Sequence, residues 1–182
     1  MFYPKFLHPT DFEKFVIAEQ VIEIPKCIIT FEKWSGKPLN ETFGGKPIIN
    51  FNNKPMFAEL AIMECFKMEG WESRWIETYG KSKKAPIYLS EWKDEKYKEQ
   101  EDDPIIEEKI IEILSQISLE NGEFYFSGCW DVVAWKNEQI IFAESKRTKK
   151  DSIRITQNRW LKSALKTGLK PENFLVVQWD FK

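Results

Sequence analysis

The chain has 182 residues and a mass of 21.7 kDa, enough for one domain with a real core. Its 42% hydrophobic content, with 14 Phe, 8 Trp and 5 Tyr, excludes a disordered tail protein. No run approaches the ~18 apolar residues of a membrane-spanning helix, and the start MFYPKFLHPTDFEKF lacks the basic-then-apolar pattern of an export signal.

Thr10 to Glu13 matches a capping box and predicts a short helix, and VIEIPKCIITF (21–31) is β-rich. Gly36, Gly44, Gly45 and several prolines then punctuate a loop region. Pro55 suits the first turn of a helix that FAELAIMECFKME (57–69) continues until Gly70. WESRWIETY (71–79) alternates as a strand, and PIYLS (86–90) reads as another short one. Glu91 to Asp103 is charged, without an apolar period, and is expected to be exposed. Pro104 starts a second amphipathic helix, IIEEKIIEILSQISL (105–119), which stops at Asn121-Gly122.

GEFYFSGCWDVVAW (122–135) and IIFAESKR (140–147) are β-rich runs joined through KNEQ, a hairpin whose turn lacks glycine. RITQNRWLKSALKTG (154–168) has helical spacing, and FLVVQWDF (174–181) is an apolar strand. This order predicts an α/β domain with a mixed sheet and helices on its faces. The chain reads as a single domain, 1–182, in which residues 1–54 form an N-terminal extension of unclear fold.

Cys27, Cys65 and Cys129 are scattered without a CxxC pair, and His8 is the only histidine. Disulfide scaffolding, a Cys/His zinc site, an iron–sulfur cluster and a His-dependent triad are therefore set aside, and a reducing cytoplasm is the expected location. A metal here would be a hard cation bound by carboxylates. Charge is unevenly spread: residues 91–123 hold twelve acidic residues against four lysines, whereas residues 144–170 hold nine Lys/Arg against Glu144 and Asp151. The basic stretch reads either as a polyanion-binding face or as a solvated helix face.

Three polar residues stand where buried strands should not want them. Ile140, Phe142, Glu144 and Lys146 share one side of their strand, so Glu144 and Lys146 project together from the end of an apolar run. Asp131 interrupts apolar sequence on the preceding strand, and pairing through KNEQ brings it near Glu144. Two buried carboxylates side by side are costly unless a cation neutralises them. Acid-x-Lys also occurs at Glu91, Asp94, Glu107 and Asp180, but only Glu144-Ser145-Lys146 ends an apolar strand that follows an aspartate-bearing one.

Asp131 followed thirteen positions later by Glu144-Ser145-Lys146 resembles the PD-(D/E)xK nuclease superfamily. GCWDVVAWKNEQIIFAESK, TQNRWLKSALKTG and FLVVQWDF together look like its VRR-NUC branch. The resemblance covers roughly residues 55 to 181, with Trp130 where the family often has proline. It implies a restriction-endonuclease-like core over 55–182, a central mixed β-sheet flanked by helices, with an acidic insertion at about 91–121. It further implies a Mg²⁺- or Mn²⁺-dependent nuclease acting on nucleic acid, DNA first, with Asp131, Glu144, Lys146 and Gln157 as catalytic residues. Asp131, Glu144, Glu59 and the Ser145 carbonyl would hold the metal. Arg147, Lys149, Lys150, Arg154 and Arg159 would grip the nucleic-acid backbone.

Periodicity alone does not choose between Glu59 and Glu64, and Gln157 could serve either the site or a backbone group. Asp131 could instead cap a turn, and Glu144 with Lys146 could be an edge-strand ion pair. A homodimer or larger assembly, and an inactive nuclease-fold module that binds nucleic acid or a protein, stay open as alternatives.

Overall fold

A computed structural model of the protein describes residues 2–78 and 86–182. Among these residues lie three α-helices, α1 (Ala58–Lys67), α2 (Glu108–Glu120) and α3 (Ile155–Lys166). The strands are β1 (Asp11–Ile17), β2 (Gln20–Lys33), β3 (Ile49–Phe51), β4 (Lys54–Met56), β5 (Glu72–Glu77), β6 (Ile87–Leu89), β7 (Val132–Lys136), β8 (Gln139–Arg147) and β9 (Phe174–Phe181). Tyr79, the last residue of the strand predicted from WESRWIETY, lies outside the described residues. No described helix is long and apolar enough to cross a membrane.

The strands form one open mixed sheet in the order β4-β3-β2-β9-β8-β7-β5-β6, with β1 paired to the first half of β2. β9 runs parallel to both its neighbours, β2 and β8, and the other pairings are antiparallel. Strand alternation sorts the core into two layers. Val132, Ala134, Ile141, Ala143, Leu175 and Val177 pack on the α1 side. Val133, Ile140, Phe142, Phe174 and Val176 pack with Leu114 of α2 and Trp160 of α3. The protein is thus α/β, with helices covering a mixed sheet.

The β7–β8 hairpin pairs Trp135 with Ile140 and Lys136 with Gln139, so its loop is only Asn137-Glu138. Asn137, at φ +53°, supplies the left-handed conformation for which glycine is usually used.

Several local readings yield to pairing. Residues 11–17 form β1 rather than a helix: the segment aligns with β2 from Asp11↔Lys26 to Ile17↔Gln20, and this ladder outweighs the capping-box signal of Thr10 to Glu13. Pro55 lies in β4, opposite Asn50, because Asn52 and Asn53 (φ +52° and +61°) form a tight hairpin turn; the helix starts at Ala58. α2 starts at Glu108 rather than at Pro104. Before it, Asp103 N–H donates to Tyr88 O at 2.7 Å and Ile105 is buried in the core, so the chain follows β6 first.

Residues 122–131 are turns rather than a strand, stitched by Asn121 Nδ2, which donates to Tyr125 O and Ser127 O. The 91–103 segment is mostly exposed but pinned. The buried Gln100 amide bonds the backbones of Lys93 and Glu95, and Asp94 accepts from Asn40 Nδ2 and Glu41 N–H. The first fifty residues supply β1 to β3. β2 enters the middle of the sheet, pairing Lys26–Phe31 with Val176–Phe181 of β9.

Candidate active site

A cleft of about 970 Å³ opens where β7 begins and β8 ends. Its floor is set by register. β7 and β8 pair Val132 with Ala143, so the next residues, Asp131 and Glu144, stand opposite each other. Trp130, fully buried against Phe15 and Phe174, anchors the chain just before Asp131. Asp131 O accepts from Ile76 N–H at 2.7 Å, and its Oδ2 accepts from Ser145 N–H at 2.9 Å. The aspartate is therefore tied to β5 through its backbone and to β8 through its side chain.

Glu144 is 1% exposed. Its Oε1 takes a hydrogen bond from Gln157 Nε2 at 2.5 Å and an ion pair from Lys146 Nζ at 2.8 Å. Gln157 is fixed in turn, because its Oε1 accepts from Arg154 N–H at 2.9 Å at the start of α3. Glu144 Oε2 is buried with no hydrogen-bond partner among the described residues, although the Asp131 carboxyl lies within reach. Two ionised carboxylates offer no donor to each other, so this oxygen needs a shared proton, a bound water or a cation. Ser145 Oγ accepts from Trp179 Nε1 at 3.0 Å, which links this end of β8 to β9.

Electrostatics follow from this crowding. Burial, then the charge of Glu59, pushes the Asp131 carboxyl up from 3.8 to about 6, against the opposing pull of Lys46, the Ser145 N–H and Lys146. Burial, then Asp131, raises Glu144 well above the carboxylate range despite Lys146. Cys129 lines the same cleft, but burial and both carboxylates push its thiol far up, so it stays protonated and is no nucleophile.

Of the two helix carboxylates, Glu59 reaches the cleft from the first turn of α1, whereas Glu64 pairs with Lys67 at 3.3 Å. Glu59 Oε1 lies 2.7 Å from Lys46 Nζ, a residue that sequence reasoning did not single out. Burial works to lower Lys46, but Glu59, Asp131 and Glu77 outweigh it and hold the ammonium above its ordinary value. Glu77 also lines the cleft. It ends β5, whose Glu72-Ser73-Arg74 start gives no apolar run to mark it as Glu144 was marked. Lys46 follows Gly44-Gly45 in a loop, where nothing local marks it.

The basic residues divide. Arg147, Lys150 and Arg154 line the mouth of the cleft. The Arg147 guanidinium lies over Phe181 at 4.7 Å and 3.6 Å from Asp180. Lys149 is exposed in the turn after β8, outside the lining. Arg159 faces away, with its guanidinium 3.6 Å from the Phe124 ring and bonded to Asn121 Oδ1.

Gly128 closes the site from behind. At φ +85°, a Cβ there would stand 2.1 Å from Thr156 O, in the first turn of α3. Gly128→Ala is expected to destabilise the protein by about 2–3 kcal/mol through strain and the clash together. Urea unfolding should show a lower midpoint with an unchanged slope; a midpoint equal to wild type would mean the contact is dispensable.

No group of three or more His, Cys, Asp or Glu side chains poised to hold a metal occurs among the described residues. Two do stand together, Asp131 and Glu144, and one of their buried oxygens lacks a partner. That donor set fits a hard cation that keeps most of its waters, as Mg²⁺ does when held by one or two carboxylates. Comparison with known protein families, curated proteins and solved structures gives no match for this chain.

Proposed function

We propose that the protein is a metal-dependent nuclease that hydrolyses phosphodiester bonds of nucleic acid, DNA first, through Asp131 and Glu144-Ser145-Lys146. The observation that carries this reading is the paired carboxylates of Asp131 and Glu144, with Lys146 2.8 Å from Glu144, at the floor of a cleft whose mouth is basic. The order α1-β5-β7-β8-α3-β9, with β8 and β9 parallel, supports a restriction-endonuclease-like core of the PD-(D/E)xK kind, nearest the VRR-NUC branch. Three free cysteines fit a reducing, cytoplasmic setting.

Asp131 and Glu144, with Glu59 and the Ser145 carbonyl, would hold Mg²⁺ or Mn²⁺. When bound, the ion supplies Lewis-acid stabilisation of charge developing on the phosphoryl oxygens. Lys146 orients the attacking water or pairs with a phosphate oxygen, adding fixed positive charge where the transition state gains negative charge. Gln157 holds Glu144 Oε1 in place, and Arg154 N–H holds Gln157. Arg147, Lys150 and Arg154 grip the backbone phosphates. The first turns of α1 and α3 also face the cleft, and the positive end of each helix dipole favours an anion there. Hydrolysis adds the water oxygen to phosphorus and expels a sugar hydroxyl. A homodimer or larger assembly on DNA is compatible with this scheme.

Incubation with plasmid and with single- and double-stranded DNA and RNA, in Mg²⁺, Mn²⁺ or EDTA, tests the reading. Strand scission that needs the divalent ion is expected. Salt-sensitive binding of these substrates without scission under any condition would replace the nuclease with an inactive binding module.

A further inference from the structure

Four carboxylates and two lysines meet in the cleft, beside Asp151, Arg147, Lys150 and Arg154. Glu59, Glu77, Asp131 and Glu144 line it together with Lys46 and Lys146. Lys146 is committed to Glu144. Lys46 arrives from elsewhere in the chain, on the loop between β2 and β3, and its ammonium sits against Glu59 at 2.7 Å.

That loop is built rather than loose. Asp94 accepts from Asn40 Nδ2 at 2.8 Å and from Glu41 N–H at 2.9 Å, and Phe43 stacks on Tyr97 with ring centroids 5.0 Å apart. Lys46 N–H closes a turn onto Thr42 O, and Gly44 and Gly45, at φ +76° and +85°, carry the chain through it. The Lys46 ammonium lies 4.7 Å from the Trp75 ring centroid, 5.3 Å from Phe43 and 6.0 Å from Phe57. Three aromatic faces thus seat a cation beside the acidic floor, where Glu144 Oε2 is buried with no partner among the described residues.

We propose that Lys46 is the resident cation of this site: it holds Glu59 off the Asp131–Glu144 pair, and a divalent ion enters as its ammonium leaves. The inference rests on the reading of Asp131 and Glu144 as a divalent-cation site. Lys46 is a positioning residue in this scheme, acting through Glu59. The exchange is favoured by charge, since the ammonium and a divalent ion draw on the same carboxylates, Glu59 and Asp131, and the ion brings twice the charge. The open Gly44-Gly45 turn and the four-carbon lysine stem give the ammonium a way out without unfolding the arm.

Mn²⁺ titration by calorimetry of wild type, Lys46→Met and Lys46→Arg tests this. Lys46→Met should bind Mn²⁺ roughly tenfold tighter, the scale of an ordinary coupling between two sites, while Lys46→Arg, which keeps the competing charge, should match wild type. A purely structural lysine would instead give equal or weaker binding on removal. In wild type, acetylation of the Lys46 amine, followed by mass spectrometry, should speed up severalfold at saturating Mn²⁺. An unchanged labelling rate overturns the proposal, and does so even if Lys46→Met does not fold. Should wild type bind Mn²⁺ and Lys46→Met bind it no tighter, this inference falls while the nuclease reading stands. Should neither bind, both fall.

Discussion

Replacing Lys146 with methionine is expected to lower divalent-ion-dependent cleavage by about 10²- to 10⁴-fold, the range for losing one positioned charged group at a reacting centre. The loss should appear in kcat with little change in the affinity for nucleic acid, because Arg147, Lys150 and Arg154 still line the mouth. Lys146 is placed for this by two constraints. β8 carries it on the same side as Glu144, and the ion pair at 2.8 Å holds the ammonium toward the floor. Methionine preserves the length of the stem, so the change removes charge more than volume. The fold should survive, since burial and Asp131 raise Glu144 and ease its taking a proton when the ammonium goes. Cleavage by Lys146→Met within threefold of wild type, with thermal unfolding intact, would remove Lys146 from the mechanism.

Asp131→Asn should make the metal-free protein more stable at pH 8 while abolishing cleavage. Asp131 and Glu144 both have folded-state values above those of the unfolded chain, so the native state binds more protons and stability falls as pH rises. The loss begins near the ordinary value of Asp131, 3.8, is complete for that residue above about 6, and extends further for Glu144. For Asp131 alone the shift corresponds to on the order of 3 kcal/mol, or several degrees in Tm for a chain of this size. Asparagine keeps the shape, cannot ionise and relieves Glu144 of its charged neighbour. The Tm difference between Asp131→Asn and wild type in EDTA should widen from pH 5 to pH 8. Mn²⁺ should then narrow it by stabilising wild type alone. A difference that is constant across pH would mean that the two carboxyls do not share a strained site.

The centre of this site was legible because its signals are local. Asp131 stands just before one apolar strand and Glu144 near the end of the next, and a two-residue hairpin fixes their register within fourteen residues of sequence. Gln157 stood out as an amide on an apolar helical stripe, and it does find a buried partner, the Glu144 carboxylate. Lys46 was hidden because its position depends on a loop that Asp94 pins from fifty residues away. Arg159 illustrates the opposite error. Charge placed it with the basic run, but two residues beyond Gln157 on α3, about half a turn round, it meets Phe124 and Asn121. The Thr10 capping signal failed for the same reason: seven cross-strand pairs with β2 outweigh a single helix-start motif.

β9 lies between β2 and β8, so the middle of the sheet joins residues 26–31 to residues 176–181, and those in turn to the end of the Glu144 strand. During synthesis the early strand waits, unpaired on that side, until residues 176–181 have emerged. Only then can the β8 end that bears Glu144 and Lys146 gain its second ladder. A growing chain therefore gains the β9 side of the cleft wall only after residues 174–181 have been made.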